Sequence, residues 1–121
     1  MKTAKVTFCG GAGTVTGANF LLEIDGHAEG LPAYGSAKGD QGQASIKILV
    51  DCGLTQGMKL ADEINWDPFP YDAKEIDILF ITHAHVDHIG RIPKLIHEGF
   101  RGKIYSTNPT KALALFMLED T

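Results

Sequence analysis

Alternation of apolar and polar positions predicts three strands in the first half of the chain. Residues 4–9, 19–24 and 45–51 each repeat with a period of two, which is typical of half-buried strands. The side chains expected to share a face are Val6 and Phe8 in the first strand, Phe20, Leu22 and Ile24 in the second, and Ile46, Ile48 and Val50, facing inward, in the third.

The second half alternates strands with helices. Residues 76–81 are a continuous apolar run, which suits a strand buried on both faces, and residues 103–106 predict a further short strand. A helix is predicted over 91–98, with Pro93 in its first turn and Gly99 after its end. Its shared face is Ile92, Leu95 and Ile96.

The last predicted helix begins at Asn108-Pro109, an N-cap residue followed by a first-turn proline. Its expected apolar stripe is Leu113, Phe116 and Met117. The mixture of strands and helices predicts an α/β fold, α+β in part, with one sheet and flanking helices.

Three segments predict loops. The glycine-rich residues 10–17 lack the ending of a P-loop and lead into a strand, so we interpret them as a tight connection between strands. Residues 27–44 are small and polar and predict an exposed loop. Between residues 53 and 72 the pattern predicts a short helix at 58–65 and then a loop anchored by Trp66, Phe69 and Tyr71.

Composition narrows the functional classes. The chain has 121 residues, 44% of them hydrophobic, which predicts one small domain with a packed core. No apolar run approaches the roughly 18 residues of a membrane span, and no secretory signal is recognisable. A net charge of −4 disfavours binding of nucleic acid by charge alone. Cys9 and Cys52 are interpreted as reduced thiols, which indicates a cytoplasmic protein.

Candidate chemistry is concentrated directly after the run 76–81. Three histidines and one aspartate fall within six positions: His83, His85, Asp87 and His88. A loop that follows a strand lies at the carboxyl end of the sheet, where α/β folds place their sites. Imidazole and carboxylate groups are natural ligands of Zn²⁺ and similar ions, and four donors that diverge in pairs suit two neighbouring metals. We interpret His27 and His97 as solvated side chains. Two interpretations stay open for Arg91, contact with a phosphate and a solvated position at the helix start, and the second is favoured.

The sequence HAHVDH at 83–88 resembles the His-x-His-x-Asp-His signature of the metallo-β-lactamase superfamily. Further segments are similar to the opening of a β-CASP RNA-processing nuclease, and more closely to bacterial and archaeal relatives of the cleavage-and-polyadenylation endonuclease. These are GGAGTVTGANFLLE at 10–23, DCGLTQG at 51–57, THAHVDHIGRIPKL at 82–95 and IYSTNPTKALALFMLED at 104–120. The resemblance covers nearly the whole chain except 27–44.

The resemblance implies a ligand set. His83 and His85 bind one metal in this family, and Asp87 and His88 bind the other, while later motifs supply further ligands. It also implies zinc-dependent hydrolysis of RNA, with a hydroxide bridging two Zn²⁺ ions as the nucleophile. Asp87 is expected to accept a proton from the bridging water, and Asp51 to orient the metal loop.

The resemblance further implies an αββα sandwich of which residues 1–121 would form the N-terminal part, without the β-CASP domain. Such a piece is expected to be inactive towards RNA by itself. The sheet face that bears Ile46, Ile48 and Val50 would lack part of its cover, so self-association is expected. Two other functions stay open: a thioester or lactam hydrolase of the same superfamily, and a non-catalytic scaffold or fragment.

Overall fold

The computed structural model describes residues 3–25, 45–57 and 59–119. The predicted loop 27–44 and His27 therefore lie outside the described residues.

A single five-stranded sheet organises the chain, and its strand order follows the sequence. The first three strands pair antiparallel, and the fourth and fifth add in parallel. The strands are β1 (Ala4–Gly10), β2 (Asn19–Asp25), β3 (Ser45–Val50), β4 (Ile78–Phe80) and β5 (Lys103–Tyr105). All five predicted strands are present, although β4 is shorter than the apolar run that predicted it.

Helices occupy the two parallel connections and the end of the described chain. They are α1 (Ala61–Trp66), a 3₁₀ turn (Ala73–Glu75), α2 (Val86–Ile89), α3 (Ile92–His97) and α4 (Asn108–Glu119). Pro93 lies in the first turn of α3, as predicted. The cap of α4 lies one residue earlier than predicted, because the hydroxyl oxygen of Thr107 accepts from the N–H of Thr110.

One face of the sheet is covered by helices and forms the core. Leu21, Leu49, Leu79 and Ile104 are register partners across four strands, and Leu49 and Leu79 are fully buried. Leu21, Leu49 and Leu79 belong to one buried cluster with Ile92 and Leu95 of α3 and Ala114 of α4, whereas Ile104 in the edge strand is exposed.

The opposite face is apolar but only partly covered. The register partners Phe8, Phe20, Val50, Phe80 and Tyr105 cross all five strands. Phe8 is 66% exposed and Phe80 is 43% exposed. The prediction that β4 is buried on both faces is therefore wrong.

The inward face of β3 was also predicted wrongly. Ile46, Ile48 and Val50 are half-buried, whereas Leu49 between them is the fully buried side chain. The expectation that this face lacks part of its cover agrees with the structure.

The helix faces differ from prediction as well. In α3, Ile92 and Leu95 are buried, but Ile96 is exposed. In α4 the predicted stripe, Leu113, Phe116 and Met117, is exposed, and the buried residues are Thr110 and Ala114. Small side chains permit a close approach of α4 to the core, which leaves its larger apolar residues outside.

Candidate metal centre

The histidine-rich loop lies between β4 and α2, at the carboxyl edge of the sheet. Backbone pairing of Asp51 N with Phe80 O (2.8 Å) and of Ile81 N with Tyr105 O (2.9 Å) continues the sheet up to this loop. His85 is the N-terminal boundary of α2, with an extended backbone at ψ 147°. The chain therefore turns from strand to helix within the loop, and this turn brings neighbouring side chains round to one side.

The structure brings the predicted donors together. The ring of His83 lies 4.8 Å from the ring of His85 and 3.9 Å from the ring of His88, between centroids. Asp87 Oδ2 lies 3.5 Å from His88 Nε2. All of these side chains except the exposed His85 are half-buried. The loop thus collects three imidazoles and one carboxylate in a site open to solvent.

Asp51 directly follows β3 and connects the metal loop to that strand. Its carboxylate is 2% exposed and accepts three hydrogen bonds, from Thr82 N (2.8 Å), Thr82 Oγ1 (2.7 Å) and His88 Nδ1 (2.7 Å). A carboxylate that accepts a hydrogen bond from Nδ1–H keeps the proton on Nδ1. The lone pair of Nε2 is then free to bind a metal. Asp51 has a φ of 60°, a left-handed conformation that aspartate and asparagine tolerate better than most residues.

Residues from two other segments hold Asp51 in place. Asn19 is fully buried and donates from Nδ2 to the Asp51 carbonyl oxygen (2.8 Å). Tyr71 donates from its hydroxyl to Asn19 Oδ1 (3.0 Å). Sequence reasoning missed Asn19, and it also missed Thr82, although the position of Thr82 directly before His83 was a usable signal.

The metal loop is joined to the glycine-rich segment and to residues 52–54 by backbone hydrogen bonds. Ala18 N donates to Asp87 O (2.9 Å), Gly53 N to Ala18 O (2.9 Å) and Cys52 N to His88 O (2.8 Å). A Cβ on Gly53 would lie 1.6 Å from the Asp87 carbonyl oxygen, so only glycine permits this approach. The interpretation of residues 10–17 as a connection between strands is confirmed, because they join β1 to β2.

Arg91 is buried, so its interpretation as a solvated residue is wrong. It is 7% exposed, donates from Nε to the Gly53 carbonyl oxygen (2.6 Å) and lies over the Phe69 ring at 5.1 Å. Phe69 is itself buried and stacks on Tyr71 at 5.1 Å. His97, by contrast, is exposed as expected.

Neither cysteine forms a disulfide in the structure; Cys9 is half-buried and Cys52 is fully buried, although both thiols were expected to be half-buried. Burial raises the pKa of the Cys52 thiol to about 12 and also raises the pKa of Cys9. The phenol of Tyr71 has a raised pKa for the same reason. These three groups are therefore neutral near pH 7.

The donors fit a divalent metal in their chemistry. Imidazole and carboxylate suit Zn²⁺, and the Asp51–His88 hydrogen bond is the kind of supporting contact that ligating histidines make. Within residues 3–25, 45–57 and 59–119, no three His, Cys, Asp or Glu side chains form a group that could hold a metal ion by themselves.

A sequence model described as the Metallo-beta-lactamase superfamily matches residues 44–119. This match covers more than half of the chain and includes β3, the metal loop and α4. The chain belongs to the metallo-β-lactamase superfamily. It is a metal-binding family, and the observed sheet with flanking helices agrees with the fold class expected from the sequence.

Curated relatives of this metallo-β-lactamase chain carry names of RNA enzymes and termination factors. It is 43% identical over 93 residues to Ribonuclease TTHA0252 of Thermus thermophilus, covering 72% of this chain and 21% of that protein. It is 40% identical over 79 residues to Cleavage and polyadenylation specificity factor 73 of Drosophila melanogaster, covering 61% and 11%. It is 39% identical over 77 residues to Transcription termination factor FttA of Methanococcus maripaludis, covering 61% and 12%.

The resemblance to β-CASP RNA-processing nucleases is confirmed by these relatives. The chain spans about a tenth to a fifth of the length of the relatives it matches. No helix in the described part of the chain is long and apolar enough to cross a membrane.

Proposed function

We propose that the protein contributes the first metal-binding loop of a zinc-dependent ribonuclease that hydrolyses phosphodiester bonds of RNA. The observation that carries the proposal is the loop 83–88, where three imidazoles and a carboxylate gather at the carboxyl edge of the sheet. Its similarity to Ribonuclease TTHA0252 supports RNA as the substrate class. The short coverage of its relatives supports the assignment of residues 1–121 as the N-terminal part of a larger metallo-β-lactamase domain.

The loop residues divide into two pairs. His83 and His85 would hold one Zn²⁺, and Asp87 and His88 the other, with further ligands supplied by other parts of the enzyme. When bound, the two metal ions lower the pKa of a water molecule and offset negative charge on the phosphate.

The remaining chemistry belongs to carboxylates of this chain. Asp87 Oδ2 lies 3.5 Å from His88 Nε2, which supports its proposed role as the acceptor of a proton from the attacking water. Asp51 is a positioning residue, since it is buried beneath the loop and fixes the orientation of His88. The two free thiols support a reducing compartment, and we place the enzyme in the cytoplasm.

The test uses the protein translated from the complete reading frame. Metal analysis is expected to find about two zinc ions per chain, and zinc-dependent cleavage of a labelled single-stranded RNA is expected. His83→Ala should abolish cleavage while circular dichroism stays native, because an open-loop ligand contributes little to the core. His97→Ala, an exposed histidine of α3, is the matched control and should retain activity.

Two results would contradict the proposal. The first is full activity with a single bound metal. The second is full activity of His83→Ala. The 121-residue chain alone is expected to leave the same RNA intact, because its loop offers only two protein ligands per metal where catalytic zinc usually has three.

A further inference from the structure

Arg91 carries a buried positive charge, and no carboxylate of residues 3–25, 45–57 or 59–119 forms an ion pair with it. Among the described residues no carboxylate oxygen lies within 4.0 Å of its guanidinium nitrogens. The guanidinium group makes one hydrogen bond among the described residues, from Nε to Gly53 O, which leaves the terminal nitrogens Nη1 and Nη2 without an acceptor in that part of the chain.

The surroundings of the guanidinium do not neutralise it. Cys9, Cys52 and Tyr71 lie near enough to interact with its charge, but burial raises the pKa of each, so each is neutral near pH 7. The Phe69 ring adds a cation–π contact, which offsets only part of the desolvation of a buried charge. The site is therefore electropositive and short of acceptors.

Arg91 lines a small cavity next to the glycine-rich segment. The cavity has a volume of about 170 Å³ and is lined by Arg91 with seven neighbours: Cys9, Gly10, Gly11, Ala12, Thr14, Thr55 and Ile64. Arg91 Nη2 lies 3.7 Å from the position that a Cβ on Gly10 would take. Since every fully enclosed side-chain nitrogen or oxygen in the described residues has a partner, the unpaired nitrogens must adjoin open space.

The cavity wall also offers uncharged donors. Thr55 is 9% exposed, and its hydroxyl has no hydrogen-bond partner among the described residues. The N–H groups of Gly11 and Ala12 likewise make no hydrogen bond within the described chain. A guanidinium, a hydroxyl and backbone N–H groups are the donor set that proteins use for oxyanions.

We propose that Arg91 and the glycine-rich residues 10–14 form a binding site for a phosphate group. The cavity has room for several water molecules and therefore for a tetrahedral oxyanion. The phosphate can come from an RNA backbone or from free phosphate. Because Arg91 holds Gly53, and Gly53 packs on Asp87, an RNA phosphate here would lie on the segment that supports the metal loop.

The experiment uses the protein translated from the complete reading frame and treated with EDTA, so that binding is measured without metal. Inorganic phosphate is titrated by calorimetry into the wild type, Arg91→Gln and Ala12→Glu. The first change removes the guanidinium charge, and the second places a carboxylate at the exposed Ala12, on the cavity wall. Phosphate affinity is expected to fall at least about tenfold in both.

Two control variants repeat the same chemical changes elsewhere. Arg101→Gln removes an exposed arginine, and Ala112→Glu adds a carboxylate on an exposed position of α4. Both should bind phosphate within twofold of wild type. No binding by the wild type at millimolar phosphate would overturn the proposal, as would wild-type affinity in Ala12→Glu. If Arg91→Gln does not fold, Ala12→Glu still decides the result.

A second arm separates the two phosphate sources. Anisotropy of a labelled single-stranded RNA is followed with and without competing inorganic phosphate, again in EDTA. Competition by phosphate, lost in Ala12→Glu, identifies the RNA backbone as the ligand. If the protein binds inorganic phosphate but phosphate does not displace the RNA, the natural ligand of this site is free phosphate. Both measurements can be interpreted even if the protein does not hydrolyse RNA, because neither measurement depends on metal or on cleavage.

Discussion

Asp51→Asn tests the link between the buried carboxylate and the metal loop. Asparagine has the same shape and also tolerates the left-handed backbone at φ 60°, so the change is confined to charge and proton placement. Asp51 Oδ1 accepts from Thr82 N, and Oδ2 accepts from Thr82 Oγ1 and His88 Nδ1. The asparagine amide has only one oxygen, so it can accept hydrogen bonds at only one of these two positions.

The geometry gives the consequence for His88. If the amide oxygen keeps the Thr82 N–H, the amide nitrogen faces His88 Nδ1 and donates to it. The imidazole proton then moves to Nε2, the atom needed by the metal. Loss of a supporting contact of this kind lowers metal affinity by about 10- to 100-fold. Loss of a charge-assisted hydrogen bond also lowers the free energy of unfolding, by about 1.5–3 kcal/mol.

Two measurements check this prediction. Zinc affinity of the protein from the complete reading frame is measured by competition with a chromophoric chelator. The tautomer of His88 in the metal-free 121-residue chain is measured by long-range proton–nitrogen NMR. Asp72→Asn is the matched control, because Asp72 is an exposed aspartate that also accepts a backbone N–H, from Lys74. Zinc affinity within twofold of wild type in Asp51→Asn, with the proton still on Nδ1, would refute the reasoning.

Three further predictions concern packing and exposure. Gly53→Ala is expected to lower the free energy of unfolding by about 3 kcal/mol or more in urea titrations, because its methyl group would lie 1.6 Å from the Asp87 carbonyl oxygen. Cys52, with a pKa of about 12, is expected to resist iodoacetamide near pH 8 until the chain unfolds, as mass spectrometry would show. Phe8→Glu is expected to shift the 121-residue chain towards monomer in light scattering, because Phe8 is 66% exposed on the apolar sheet face.

Each of these predictions has its own contrary outcome. Gly53→Ala with wild-type stability would show that the two loops can separate without cost. Alkylation of Cys52 ahead of the half-buried Cys9 in the native chain would show that the Cys52 thiol is accessible. A monomer produced by Leu115→Glu on α4, and not by Phe8→Glu, would place self-association on the helix instead of the sheet.

The strands could be predicted from the sequence, but the face they bury could not. In β2, Leu21 lies between Phe20 and Leu22, and in β3, Leu49 lies between Ile48 and Val50. Both faces are therefore apolar, and local alternation does not tell them apart. The helices decide which face is buried, because their buried side chains pack with Leu21, Leu49 and Leu79.

The candidate site also has one part that the sequence predicts and one part that it does not. The loop 83–88 follows from its spacing and from its place after an apolar run, and its ligand roles stay predictions. Burial of Arg91 depends on Gly53 and Phe69, which are distant in sequence, so a pattern read along the chain assigns this residue to solvent. The same holds for Asn19, whose partners Asp51 and Tyr71 come from two other segments.

The strand order has a consequence for synthesis on the ribosome. Because β1 to β5 lie side by side in the order of translation, each new strand can pair with the strand made just before it. Ala18, Asp51 and Cys52 are made before the metal loop that they bind. At a synthesis rate of about 5–20 residues per second, the loop emerges seconds after these partners. A nascent chain that stops before Thr82 would therefore lack all three groups that donate hydrogen bonds to the Asp51 carboxylate.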